Sequence, residues 1–266
     1  MELKSKIKAK ILENTKLSED VFSMWIEAGS MAGEARTGQF VSLYVNDGSK
    51  LLPRPISICE IDREMGRLRL VYRVVGEGTK AFSKLLPNVD SVEVVGSLGK
   101  GFPVDKTGDS VLLFGGGIGI PPLLEAVKEL KKNDKKAVVI LGFRNKDTFL
   151  VEDFHKYAEV IIATDDGSLG CRGTVIDAAN EIKASEKYGI TDIFSCGPMP
   201  MLRGVKEYGE CRGLPTYISL EERMACGIGV CLGCVCETKE VDHHSNVNNT
   251  RVCKDGPVFL STEVVI

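Results

Sequence analysis

Apolar residues never run unbroken for anything near the roughly 18 positions that span a bilayer, so no helical membrane anchor is expected in these 266 residues. An excess of one charge is also missing. The 34 Lys and Arg face 37 Asp and Glu, for a formal net charge of −3, so neither nucleic acid nor an anionic membrane is expected as a partner. Histidine is scarce, with three in the chain. His155 reads as packing or surface, and His243-His244 falls in a polar stretch, residues 241–250, that reads as a solvated loop. No Ser-His-Asp set or paired-carboxylate signature stands out. A secretory leader is not expected either, because the basic Met1–Lys10 segment runs into Ile11-Leu12-Glu13-Asn14 and not an apolar core.

Cysteine, by contrast, is plentiful and unevenly placed. There are nine, an odd number crowded toward the C-terminal end, which suits a reducing cytoplasm and metal ligation better than disulfides. Cys226, Cys231 and Cys234 follow the spacing C-x4-C-x2-C, with Cys253 further along. That is the plant-type ligand pattern of a [2Fe–2S] cluster. Gly227, Gly229 and Gly233 lie between them, where glycine lets backbone turn sharply and bring N–H groups up to sulfur. Zinc remains an alternative, since it accepts cysteine pairs two to four residues apart. Cys236 is a second candidate for the fourth ligand, because it would share a face with Cys234 on an extended strand.

Upstream, residues 6–104 read as short strands broken by turns. Phe40–Val45, Leu68–Val74 and Ser91–Val95 alternate, and Gly38, Asn46-Asp47-Gly48, Gly66 and Gly96 punctuate them. Strands without intervening helices suggest an antiparallel barrel. Two segments within it carry chemistry. In Arg54-Pro55-Ile56-Ser57 a planar guanidinium fork suited to phosphate is followed by a small hydroxyl. In Gly76-Glu77-Gly78-Thr79 the threonine is expected to cap a short helix with N–H groups facing an anion. Taken singly, the first is commonly an extended edge and the second a capped turn.

From Ser110 the pattern changes to alternating strands and helices. Ser110–Phe114 is an apolar strand, Gly115-Gly116-Gly117-Ile118-Gly119 follows at once, and Pro121-Pro122 opens a helix to about Lys132. Strand, glycine loop and helix make a nucleotide-binding unit in outline, although the order is not a strict G-x-G-x-x-G. Further units are strands at Ala137–Phe143, Val160–Ala163, Asp192–Cys196 and Thr216–Ser219, with helices at Val175–Ile182 and Met199–Glu210. This alternation predicts a parallel sheet wrapped by helices. Cys196-Gly197-Pro198 ends a strand, where open α/β sheets place ligands. The acidic pair in Thr164-Asp165-Asp166-Gly167 favours ribose hydroxyls over a 2′-phosphate, hence NADH over NADPH, unless it is a plain turn.

Arg54–Ser57 resembles the RPxS flavin motif of the ferredoxin–NADP reductase superfamily, and Gly76–Thr79 its second segment. The resemblance implies that Arg54 meets the FAD pyrophosphate with Gly78 and Thr79, and that Ser57 lies near flavin N5. It also implies that Val71-Tyr72-Arg73 lines the flavin and that Cys196-Gly197-Pro198 borders the nicotinamide. Ser219–Met224 and Arg251–Phe259 make the likeness more specific, resembling the electron-transfer subunits of the dihydroorotate dehydrogenase B family over essentially the whole chain. What this implies is a multi-domain β + α/β protein. It would have an FAD-binding antiparallel β-barrel at 1–104, a parallel-sheet NAD-binding domain at 105–214 and a small [2Fe–2S] domain at 215–266. Its implied partner is an FMN-containing dihydroorotate dehydrogenase catalytic subunit, two of each chain, in pyrimidine synthesis. Alternatives are an FAD/[2Fe–2S] subunit of a sulfhydrogenase or NADH-dependent ferredoxin–NADP oxidoreductase type, or a zinc-stabilised nucleotide-binding sensor.

Overall fold

A computed structural model describes residues 6–45, 50–241 and 246–266. The expected Asn46-Asp47-Gly48 turn and the His243-His244 pair lie outside the described residues. The chain divides into two compact units. The first takes in residues up to Gly101 together with Glu221–Val235 and Arg251–Pro257, and the second takes in Phe102–Leu220, Cys236–Thr250 and Val258–Ile266. The C-terminal segment thus contributes to both.

The first unit is built on a closed barrel. Its strands are β1 (Lys6–Lys16), β2 (Val21–Glu27), β3 (Phe40–Tyr44), β4 (Arg54–Asp62), β5 (Arg67–Arg73) and β6 (Ser91–Leu98), with short helices α1 (Ser30–Glu34) and α2 (Glu77–Phe82) between them. The order β1-β2-β5-β4-β3-β6 closes through antiparallel pairing of β6 with β1. Alternation decides which side chains go inside. Val41 and Leu43 of β3, Ile56 and Ile58 of β4 and Val92 and Val94 of β6 pack in the core, leaving Ser42, Pro55, Ser57 and Val95 directed outward. Register sets these outward residues side by side: Ser42 is opposite Pro55 and Val95, and Phe40 is opposite Ser57. Tyr72 belongs to the inside. Its ring stacks on Phe22 and meets Phe82 edge-on, each with centroids 6.1 Å away.

The second unit is a seven-stranded sheet. Its strands are β7 (Ser110–Gly116), β8 (Lys136–Phe143), β9 (Glu159–Thr164), β10 (Cys171–Arg172), β11 (Asp192–Cys196), β12 (Thr216–Ser219) and β15 (Val258–Leu260). They lie in the order β10-β9-β8-β7-β11-β12-β15, and all pairs are parallel except β12 with β15. Helices α3 (Pro122–Lys132), α4 (Val151–His155), α5 (Val175–Glu181), α6 (Ala184–Tyr188) and α7 (Met199–Glu210) connect them. Leu112, Phe114, Val138, Ile140 and Ile193 form an apolar face on which α5 and α7 lay Ala178, Ala179, Val205 and Tyr208. The chain runs from β7 outward through β8 and β9 and then returns to β11 on the other side of β7. The strand order therefore reverses between β7 and β11, the position where such sheets open a ligand crevice at their carboxyl ends. Strands β13 (Val235–Glu237) and β14 (Asn249–Arg251) form a separate two-stranded sheet.

Candidate functional site

In the barrel, Arg54 opens β4 and its Nη1 donates to the Leu52 carbonyl at 2.5 Å. The guanidinium lies flat across Gly78, so that a β-carbon at 78 would come within 2.5 Å of Cζ. The two segments singled out in the sequence therefore meet, and glycine is required at 78 for the arginine to rest there. Helix α2 starts earlier than expected, with Gly76 at the N-cap. Thr79 is not the cap but stands one turn in, where its hydroxyl oxygen accepts the N–H groups of Val75 (3.0 Å) and Gly76 (3.3 Å) and its proton goes to the Gly76 carbonyl. The reason is local: an extended glycine reaches the N-cap without a side chain, and the threonine secures the turn from inside.

The segment Val71-Tyr72-Arg73 splits between two faces. Tyr72 is taken up by the core, its hydroxyl donating to Asn14 at 3.2 Å, and burial lifts its pKa well above the ordinary tyrosine value against the opposing Asn14 bond. Arg73 points the other way and pairs with Asp20 at 3.0 Å.

The cysteine loop belongs to the same compact unit. Gly227 and Gly229 take φ values of +68° and +83°, and Leu232 adopts a left-handed +56° as well. Gly233 serves the sulfurs differently. Its N–H donates to the Cys231 sulfur, and a β-carbon there would lie 3.4 Å from that atom. Val230 N–H donates to Cys226 and Cys253 N–H to Cys234, both at 3.4 Å. Cys253 reaches the loop on the Arg251–Gly256 turn, which Asp255 holds by accepting from Arg251 Nε at 3.0 Å. Val252 N–H also donates to the Cys234 carbonyl at 2.9 Å, and Arg251 Nη1 to the Gly229 carbonyl at 3.3 Å.

The four thiols gather together: Cys226 stands beside Cys231, Cys253 beside Cys234, and Cys226 also acts on Cys253. Burial opposes ionisation of Cys226, but the N–H groups of Cys231, Ile228 and Val230, together with the Cys231 thiol, outweigh it and bring the pKa down to about 6. Cys253 is pushed up, first by burial, then by the hydrogen bond and charge of Cys234, and further by the charge of Cys226. No group of three or more His, Cys, Asp or Glu among the described residues is arranged to hold a single metal ion. Four thiols with N–H groups on the sulfurs of Cys226, Cys231 and Cys234 fit a two-iron cluster. Cys236 lies in β13 and in the other compact unit.

In the second unit the glycine loop and Cys196-Gly197-Pro198 are pressed together. A β-carbon at Gly119 would come within 2.5 Å of the Cys196 carbonyl carbon and the Gly197 nitrogen, and one at Gly116 within 2.5 Å of Met201 Sδ. Gly115 pairs with Cys196 across β7 and β11, and Gly117 turns at φ +53°. At Gly119 the contact is backbone against backbone, which suits close approach of a pyrophosphate. The Cys196 side chain is 1% exposed. At the end of β9, Thr164 is fully buried and both donates to and accepts from the Leu169 backbone, which sets Asp165 and Asp166 out in solvent. Hydrogen bonds from Ser168 hold the Asp166 carboxyl below its ordinary range.

Residues 221–265 match the family model for the iron–sulfur cluster binding domain of dihydroorotate dehydrogenase B. The chain is 44% identical to the dihydroorotate dehydrogenase B (NAD(+)) electron transfer subunit of Fusobacterium nucleatum, covering 96% of both chains. It belongs to the family of dihydroorotate dehydrogenase B electron transfer subunits. A member from Listeria monocytogenes is 40% identical over 96% of this chain and 97% of its own. Among solved structures, the NADH-dependent reduced ferredoxin–NADP oxidoreductase, described for flavin-based electron bifurcation, superposes with a TM-score of 0.86. It is 30% identical and the match covers 97% of this chain and 89% of that one. In this member of the dihydroorotate dehydrogenase B family, Arg54, Gly78 and the four cysteines all sit in one compact unit. Sequence reasoning missed Ser42, whose buried hydroxyl abuts Gly227. A serine on a strand gives no motif to find it by.

Proposed function

We infer that the chain is the electron-transfer subunit of an NAD-dependent dihydroorotate dehydrogenase, linking an FMN-containing catalytic subunit to NAD in pyrimidine synthesis. The observation that carries this is the pairing, within one compact unit, of a guanidinium cradle with a four-thiol loop. When bound, FAD exchanges a hydride with NAD(H) and single electrons with a [2Fe–2S] cluster. The chain's own part is to hold these groups. Arg54 and Thr79 would anchor the FAD pyrophosphate over Gly78, with Pro55, Ile56 and Ser57 and the backbone of Val71–Arg73 along the flavin. Cys226, Cys231, Cys234 and Cys253 would be the iron ligands. Gly115, Gly116, Gly117 and Gly119 with Cys196-Gly197-Pro198 would take the NAD pyrophosphate and nicotinamide, and Asp165 and Asp166 the ribose.

On this reading residues 1–104 serve FAD, 105–214 NAD and 215–266 the cluster, with two of each chain in the complex. Ile228, Val230 and Leu232, all exposed between the cysteines, offer the catalytic subunit an apolar rim beside the cluster. Among the described residues no helix is long and apolar enough to cross a membrane. Metal-ligating thiolates suit a cytoplasmic, reducing location. The test is reconstitution: the catalytic subunit should reduce NAD with dihydroorotate only when this chain is added. A mixture that reduces NAD equally well without it would refute the assignment.

A further inference from the structure

Ser42 sits in the middle of β3, 1% exposed, and its Oγ has no hydrogen-bond partner among the described residues. Its neighbours Val41 and Leu43 fill the barrel core, so Ser42 faces outward, toward the cysteine loop. The contact is direct: a β-carbon on Gly227 would lie 2.8 Å from Ser42 Oγ and 3.4 Å from Leu98 Cδ1. Gly227 follows Cys226, and across the strand pair Ser42 faces Pro55 of the flavin-strand motif. Backbone N–H groups of Val230, Gly233 and Cys253 serve Cys226, Cys231 and Cys234, whereas Ser42 offers a donor from the barrel wall.

A buried hydroxyl with no partner is unfavourable, and alanine would fill the same space without that cost. Its place against the cysteine loop gives the hydroxyl a use. We propose that Ser42 is a positioning residue that donates its hydroxyl proton to the sulfur shell of the cluster on the Cys226 side and raises its reduction potential. The inference rests on the reading that this chain carries the [2Fe–2S] cluster. Hydrogen bonds to cluster sulfurs stabilise the more negative, reduced state and so set the potential. Ser42 lies on the side where the loop meets the strand opposite Pro55, so it bears on the cluster's readiness to exchange electrons with the flavin.

The experiment is a potentiometric titration of the full chain, anaerobically reconstituted with iron and sulfide and followed by EPR, for wild type, S42A and S42C. In S42A the cluster midpoint moves negative, by up to a tenfold change in the one-electron equilibrium, or about 59 mV. S42C, with similar volume and a weaker donor, falls between. Iron per chain and the flavin midpoint stay at wild-type values. Equal cluster midpoints in all three proteins overturn the proposal, as does a shift confined to the flavin. If S42A cannot be loaded, S42C against wild type decides by the same criterion. A wild-type chain that takes up no cluster contradicts the underlying reading instead, so the two failures are distinct.

Discussion

The guanidinium of Arg54 rests on Gly78, leaving no room for a β-carbon between them. The neighbour that must yield is the end of a flexible side chain, so Gly78→Ala should fold normally and displace only the arginine. Losing a charge-assisted phosphate contact costs about 1.5–3 kcal/mol, roughly 10- to 100-fold in FAD affinity. Flavin retained after gel filtration and the FAD dissociation constant check this, with thermal melting as the control. Arg54→Ala should give a similar loss, and wild-type flavin content in both variants would remove Arg54 from the site.

The thiol pairs give a second expectation. Cys231→Ser should lose the cluster while keeping FAD and NADH-to-dye electron transfer. Cys236→Ser should keep iron at the wild-type level, because Cys253 stands beside Cys234 while Cys236 lies in β13. Iron and sulfide analysis of the two variants separates the candidates for fourth ligand.

In the second unit the contact at Gly119 is backbone against backbone, so nothing flexible can give way. Gly119→Ala must part the glycine loop from the end of β11, a strain on the order of 1–3 kcal/mol. The expected result is a lower melting temperature and weaker NADH binding, with FAD and iron content unchanged. Calorimetry and an NADH titration would show both effects.

Tyr72 yields a prediction about alkaline stability. Its pKa is raised in the folded chain by burial, so its contribution is fully present below the unfolded value near 10 and is lost as pH rises through the folded value. Above about pH 10 the unfolded chain sheds the phenolic proton while the folded chain keeps it, which costs about 1.4 kcal/mol per pH unit. Tyr72→Phe removes this liability but also the bond to Asn14, about 0.5–1.5 kcal/mol. The variant should therefore be less stable than wild type at pH 8 and catch up or overtake it by pH 11, as read from urea midpoints.

Much of this was legible in the chain. The strand–glycine–helix order at Ser110–Lys132 and the units after it appear as read, because their signals are local. Arg54–Ser57, Gly76–Thr79 and the cysteines came through as motifs for the same reason. What lay hidden depends on distant partners. The pairing of β1 with both β2 and β6, which closes the barrel, has no local signal in its lysine-rich sequence. Val258–Leu260 joins the parallel sheet by antiparallel pairing with β12, which no local pattern announces. The ring contacts of Tyr72 with Phe22 and Phe82 come from other elements of the barrel, and Ser42 acquired its neighbour from the far end of the chain.

An anaerobic titration of the purified chain with NADH, followed by visible absorbance and EPR, decides whether the electron path exists. Bleaching of flavin absorbance together with the appearance of a reduced [2Fe–2S] signal is the predicted result. A colourless chain that binds zinc and gives no signal would contradict it, returning the cysteines at 226, 231, 234 and 253 to a structural role.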